Sequence, residues 1–348
     1  MKRELTMMRS AGLSLIELMI SVLLGILLIL GAGAAYLAAA RSYTEVEQVS
    51  SLAENAEFAE QILSEAIMHA GFFGEVSAEK IEEDSTLIGV VDNCANQAAA
   101  YDLTNYIFAA AVDGAGAALG CIDDAMEDTE VLVVKRVLPR PFIDSPVGGP
   151  GNPGNGTIDS PTALQAGTSY IMTNNVLGIL FDGSATAPTI IPGGAVPDGK
   201  AWAYLYEAYY VRDDDPNSED DTPWLARKVL SWNGAAMAVI TEDVVEGVER
   251  MNILLGVDTD ADGEVDSYTD GATVTANDDW ANIASVEVFL LVRSATKDFN
   301  FTDTKSYSLG GANLFTPPVG DAQRYRRLLV HTSASLRNPK LTIRGPAE

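Results

Sequence analysis

Histidine and cysteine are nearly missing: this 348-residue chain has two of each. His69 and His331 stand well apart in sequence from Cys94 and Cys121, which argues against a zinc site. No GxSxG elbow, phosphate-binding glycine loop or HExxH pattern occurs, so no enzyme is expected. Basic residues are also few. The 22 Lys and Arg face 49 Asp and Glu, for a formal charge of −27. A surface of that sign repels phosphates, so no nucleic-acid partner is expected. It suits a solvated exterior protein, or one that recruits divalent cations. Proline is absent from residues 13–70, and Glu17 is the only charge between Arg9 and Arg41.

What fills that gap is an apolar helix pattern. Leu18 to Ala40 gives 23 uncharged residues, enough at about 1.5 Å each to cross a bilayer core of about 30 Å. The segment before it carries Lys2, Arg3 and Arg9 against Glu4, which by the positive-inside tendency holds it in the cytoplasm and directs the bulk of the chain outward. No small-x-small cleavage site follows the apolar run, so loss of the whole run is not expected. The polar-to-apolar boundary falls at Gly12/Leu13, where a cut would release the basic leader and keep the helix. A carboxylate at the edge of such a span costs on the order of a few kcal/mol in lipid, which marks Glu17 as a functional residue. The plain alternative is a signal anchor with Glu17 resting among headgroups.

Residues 41–70 continue as an amphipathic helix. Tyr43, Val46, Val49, Leu52, Ala56, Ala59, Leu63, Ala66 and Ala70 recur at three- and four-residue steps, and Ile62 and Ile67 widen the stripe. Gly71 offers the stop, so residues 13–70 would form one helix about 87 Å long. His69, at its end, suits a capping or packing role. From residue 72 on, β-branched and aromatic clusters alternate with turn residues, a mainly β head. The strand candidates are 129–138, 201–211, 224–232, 284–294 and 325–336, the last of which contains His331. Trp202, Tyr204, Tyr206, Tyr209 and Tyr210 read as a strand packed on a core. Residues 143–167, rich in Gly and Pro, read as a long irregular loop, and the acidic run 213–221 as a hairpin tip. The fold class is therefore α+β, with 13–40 as membrane-spanning helix, 41–71 as amphipathic helix and 72–348 as one β-rich head or a head with two β subregions.

Two features of the head carry chemistry. Cys94 and Cys121 lie outside the cytoplasm in this topology, and a disulfide between them would add about 3–4 kcal/mol; two unpaired thiols are the alternative. Asp258, Asp260 and Asp262 stand at positions 1, 3 and 5 of a loop with Gly263 at 6 and Asp266 at 9. This matches the front half of an EF-hand-type calcium loop, in which Glu264 at position 7 supplies a backbone carbonyl. Position 12 is Thr269 in place of the bidentate Glu, with Asp270 next to it. An Asp-rich turn that binds nothing is the competing reading.

Gly12-Leu13-Ser14-Leu15-Ile16-Glu17 resembles the class III signal of type IV prepilins and pseudopilins, with Leu13 where that family usually has Phe. The resemblance implies cleavage after Gly12 by prepilin peptidase, which removes the leader 1–12, and N-methylation of Leu13. The new amine and Glu17 would then both be stranded near apolar surroundings, and a neighbouring subunit could match them. A unit pair at about 4 Å is worth roughly 4 kcal/mol at an effective dielectric of about 20. Further segments are similar to minor pilins of the PilW type: Asn55–Ala59, His69–Phe72, Val244–Met251, Gly256–Asp260, Trp280–Arg293 and Arg326–Asn338. This resemblance implies a type IV pilin-like fold and a subunit anchored in the inner membrane before extraction into an extracellular fibre. It would act with other minor and major pilins at a pilus tip to prime assembly, with a tip adhesin as a further partner. A minor pseudopilin of a type II secretion system shares the same plan, and a membrane-tethered, calcium-dependent adhesin is the reading from another class.

Overall fold

A computed structural model describes residues 14–147, 154–213 and 222–338. The leader 1–12 and the expected cleavage point at Gly12 and Leu13 lie outside the described residues, as does the acidic run from 214 to 221. The chain divides into two units, Met1–Ser51 and Leu52–Glu348.

The described part of the first unit is helix alone. Helix α1 (Leu15–Met68) starts here, and it is long and apolar enough by length and composition to cross a membrane, as an anchor or a signal sequence would be. The stripe expected from Tyr43 onward is buried only from Leu52; Tyr43, Val46 and Val49 are exposed. A single helix cannot cover its own apolar face, and these three residues belong to the unit whose described residues offer no other element. Within the second unit the same stripe is covered at Leu52, Ala56, Ala59, Leu63, Ala66 and Ile67. The helix then stops at Gly71, whose φ of +71° and close approach to the Tyr106 ring both require the missing side chain.

Among the described residues, sixteen strands and one short α-helix follow. The first ten are β1 (Ile81–Glu83), β2 (Ile107–Ala111), β3 (Glu130–Val137), β4 (Ile143–Asp144), β5 (Ile158–Ser160), β6 (Ser169–Thr173), β7 (Gly178–Asp182), β8 (Lys200–Arg212), β9 (Trp224–Trp232) and β10 (Met237–Glu246). The remainder are β11 (Val248–Val257), β12 (Ser267–Thr269), α2 (Gly271–Asn277), β13 (Ile283–Arg293), β14 (Tyr307–Ser308), β15 (Leu314–Phe315) and β16 (Arg327–Ser335). All five strand candidates are strands, within a few residues at each end. The stretch read as an irregular loop over 143–167 differs, since β4 and β5 pair there. Asp144 organises the turn by accepting from the N–H groups of Asn155 and Gly156 at 2.9 and 2.6 Å.

Strand β8 builds the larger sheet because its 13 residues exceed what one neighbour covers. One edge pairs with β3; the other pairs first with β6 and then with β9, all antiparallel. Strands β8 and β9, which flank the acidic run in sequence, pair antiparallel. Only β1–β7 among the named strand pairs is parallel. Trp202, Tyr204, Tyr206, Tyr209 and Tyr210 are all buried, so both faces of β8 are covered. The second sheet runs β12-β11-β13-β16. One continuous core joins Leu63 and Ile67 of α1, Val131–Val134 of β3, Ile253 and Leu255 of β11, and Val286 and Val288 of β13. The head is therefore two β subregions on a shared core, with α1 supplying a third wall.

Candidate functional site

The acidic loop closes the β11–β12 hairpin. Strand β12 returns antiparallel to β11 with Val257 opposite Ser267, and the Asp266 N–H donates to the Val257 carbonyl at 2.9 Å to close the loop mouth. Gly263 at φ +92° turns the chain inside it. One carboxylate oxygen each from Asp258, Asp260 and Asp262 lie within 4.8 Å of one another. Asp260 and Asp262 are exposed, whereas Asp258 is only 6 % exposed. Asp258 Oδ2 accepts from the Gly263 N–H at 2.8 Å, and among the described residues Oδ1 is buried without a hydrogen-bond partner.

The other two expected ligands stand differently. Asp266 Oδ2 accepts from the hydroxyl and the N–H of Thr259, at 2.6 and 2.8 Å. Those two bonds hold its carboxyl below the usual carboxylate range. Glu264 donates its N–H to Asp262 Oδ1 at 2.7 Å, and its side chain is exposed. Thr259 and Asn282 are partners that spacing alone does not reveal. The Asp258 N–H donates to the Asn282 carbonyl at 2.9 Å, which ties the loop to the turn that follows buried Trp280.

At the other end of the chain, Glu17 sits in the first turn of α1. Its Oε2 accepts from the Ser14 N–H at 3.0 Å, and the Ser14 hydroxyl accepts from the Glu17 N–H at 3.2 Å. Ser14-Leu15-Ile16-Glu17 is thus a capping box, a pattern legible in the sequence as Ser followed three residues later by Glu. The helix start and the site expected for subunit assembly are the same residue.

Residues 208–338 match the family described as Type IV Pilus-assembly protein W.

No curated protein and no solved structure is significantly similar to the chain. The matched PilW segment takes in the last five residues of β8 and everything from β9 to the end of β16, and so includes the acidic loop. Helix α1 and the disulfide lie outside it. Cys94 and Cys121 form that disulfide, with Cα atoms 4.7 Å apart, which leaves neither thiol for catalysis. Both histidines make contacts within the fold. His69 Nδ1 donates to the Glu65 carbonyl at 2.9 Å in the last turn of α1, and His331 stacks on Phe289 with ring centroids 4.3 Å apart. The end of the PilW domain is fastened to the helix end, where the Asn338 amide donates to the Ala70 carbonyl at 3.2 Å.

Proposed function

We propose that the chain is a minor pilin, processed after Gly12, which helps to prime a type IV pilus and is incorporated at its tip. The observation that carries this reading is the coexistence in one chain of the PilW domain and an apolar helix whose exposed span is charge-free from Leu18 to Ala40. An exposed apolar helix of that length needs a bilayer or a bundle of like helices around it. The PilW domain favours the bundle of a pilus over a permanent anchor. In this reading the chain begins in the inner membrane with its head outside the cytoplasm and exchanges lipid contacts for contacts with other pilins. Glu17 then offers its carboxylate to the methylated amine of a neighbouring subunit, and prepilin peptidase is the processing partner.

Mass spectrometry of sheared and purified pili tests this. Peptides of the head, together with an N-terminal peptide that begins at methylated Leu13, are the expected result. Retention of the protein with the cells would overturn the reading in favour of a tethered adhesin. Recovery in a secretion pseudopilus, with none in pili, would favour the type II secretion alternative.

A further inference from the structure

We propose that Asp258, Asp260 and Asp262 hold one calcium ion at the tip of the β11–β12 hairpin. The decisive observation is the unpaired oxygen of Asp258. A carboxylate oxygen taken out of water without a partner is among the costliest buried groups, and native structures supply it with a donor or a cation. Here the other oxygen of the same carboxylate is held by the Gly263 N–H, so Oδ1 has no local donor left among the described residues. Asp260 and Asp262 each place one oxygen within 4.8 Å of an oxygen of the same Asp258 carboxylate, and three like charges so close raise the cost again.

A cation removes both penalties. Oxygens bound to opposite sides of one calcium ion, at about 2.4 Å each, are about 4.8 Å apart, so the three can share one ion. An all-oxygen, carboxylate-rich set is that of a hard divalent cation. Calcium accepts the irregular geometry of a loop that lacks the bidentate Glu at position 12, whereas magnesium demands a near-ideal octahedron. Asp266, already engaged by Thr259, stands where such loops often bind the ion through water. The ion would fix the return from β11 into β12 and thence into α2, whose N-terminus Asp270 caps. Its effect is therefore expected on the stability of the hairpin end and of the segment up to Asn282. The site is independent of the pilus assignment.

The test uses the full chain in detergent micelles, stripped with a chelator and titrated with calcium chloride by calorimetry, with thermal unfolding in parallel. One calcium per chain and a rise in Tm of several degrees at millimolar calcium are expected. Asp260→Asn combined with Asp262→Asn, both at exposed positions, should weaken calcium binding at least tenfold without lowering the Tm of the stripped protein. Asp258→Asn should abolish the calcium-dependent rise; if that variant fails to fold, the exposed double variant decides. An unchanged Tm with and without calcium would overturn the proposal. So would wild-type affinity in the double variant, which would place the binding elsewhere on an acidic surface. A magnesium response equal to that of calcium would overturn the choice of ion.

Discussion

Glu249 grips Arg327 with both carboxylate oxygens, Oε2 to Nε at 2.6 Å and Oε1 to Nη2 at 2.9 Å, reaching past the intervening strand β13. The reach comes from a β-bulge: Val248 pairs with Val292 and Arg250 with Leu291, which leaves Glu249 unpaired and free to turn. Arg327 is fully buried, and Asp303 takes its Nη1 at 3.3 Å. Removing that cation strips two buried carboxylates of their nearest charge partner, leaving Arg293 at 3.8 Å from Glu249 and the Tyr307 hydroxyl on Asp303. Arg327→Leu should therefore destabilise the head by about 3–5 kcal/mol in urea denaturation. Asp321→Ala breaks only the exposed pair with Lys297 and should change stability by less than about 0.5 kcal/mol. Similar effects of the two substitutions would disprove this account.

The Cys94–Cys121 disulfide closes a loop of sequence separation 27. By the chain-entropy estimate, replacing both residues with alanine should lower unfolding stability by about 3–4 kcal/mol. The same shift should follow from adding a reductant to the wild-type protein, and the double variant should be indifferent to it. Urea midpoints with and without reductant measure both.

Burial raises the Glu130 carboxyl from 4.5 to about 7, with the nearby Asp270 charge adding to the shift and the Ile253 N–H opposing it. A carboxyl whose folded pKa lies above its unfolded value favours the fold while protonated. Its contribution is complete below about pH 4.5 and is lost as pH rises to about 7. Glu130→Gln keeps an oxygen acceptor for the Ile253 N–H and removes the titration. The variant should be more stable than wild type at pH 8 by about 1–3 kcal/mol, with the gap closing toward pH 4.5. Parallel stability curves for the two proteins across that range would contradict the assignment.

Glu17 has a local role and a proposed intermolecular one, and glutamine separates them. Gln at the third position of a capping box still accepts from the Ser14 N–H but carries no charge. Glu17→Gln is therefore expected to insert in the membrane with its helix start intact and to fail in fibre incorporation, as Glu17→Ala should. Immunoblots of the membrane and sheared-pilus fractions measure this. Normal incorporation of the glutamine variant would reduce Glu17 to a helix cap.

The legible parts of the fold are those with a strong period. The 3.6-residue repeat of Leu52, Ala56, Ala59 and Leu63 identifies the buried helix face. The aromatic run from Trp202 to Tyr210 identifies β8. Strand β11 is obscure because Glu249, Arg250 and Asn252 interrupt it. Those polar residues meet partners distant in sequence, Arg327 for Glu249, the Glu127 carbonyl for Arg250 and the Leu309 carbonyl for Asn252. β4 and β5 are two and three residues long, too short for any period to register.

The sequence by itself determined whatever depends on neighbours within a turn or two. That includes the apolar span, the Ser14–Glu17 cap and the spacing of the three aspartates, because their geometry follows from local backbone periodicity. Only the tertiary structure decided which of those groups are buried and what they meet. It covered Leu52 but left Tyr43 exposed, joined Cys94 to Cys121, and sank Asp258 while Asp260 and Asp262 stayed in solvent. The physical reason is desolvation. Its cost is set by the elements that close over a group, and those elements come from remote parts of the chain.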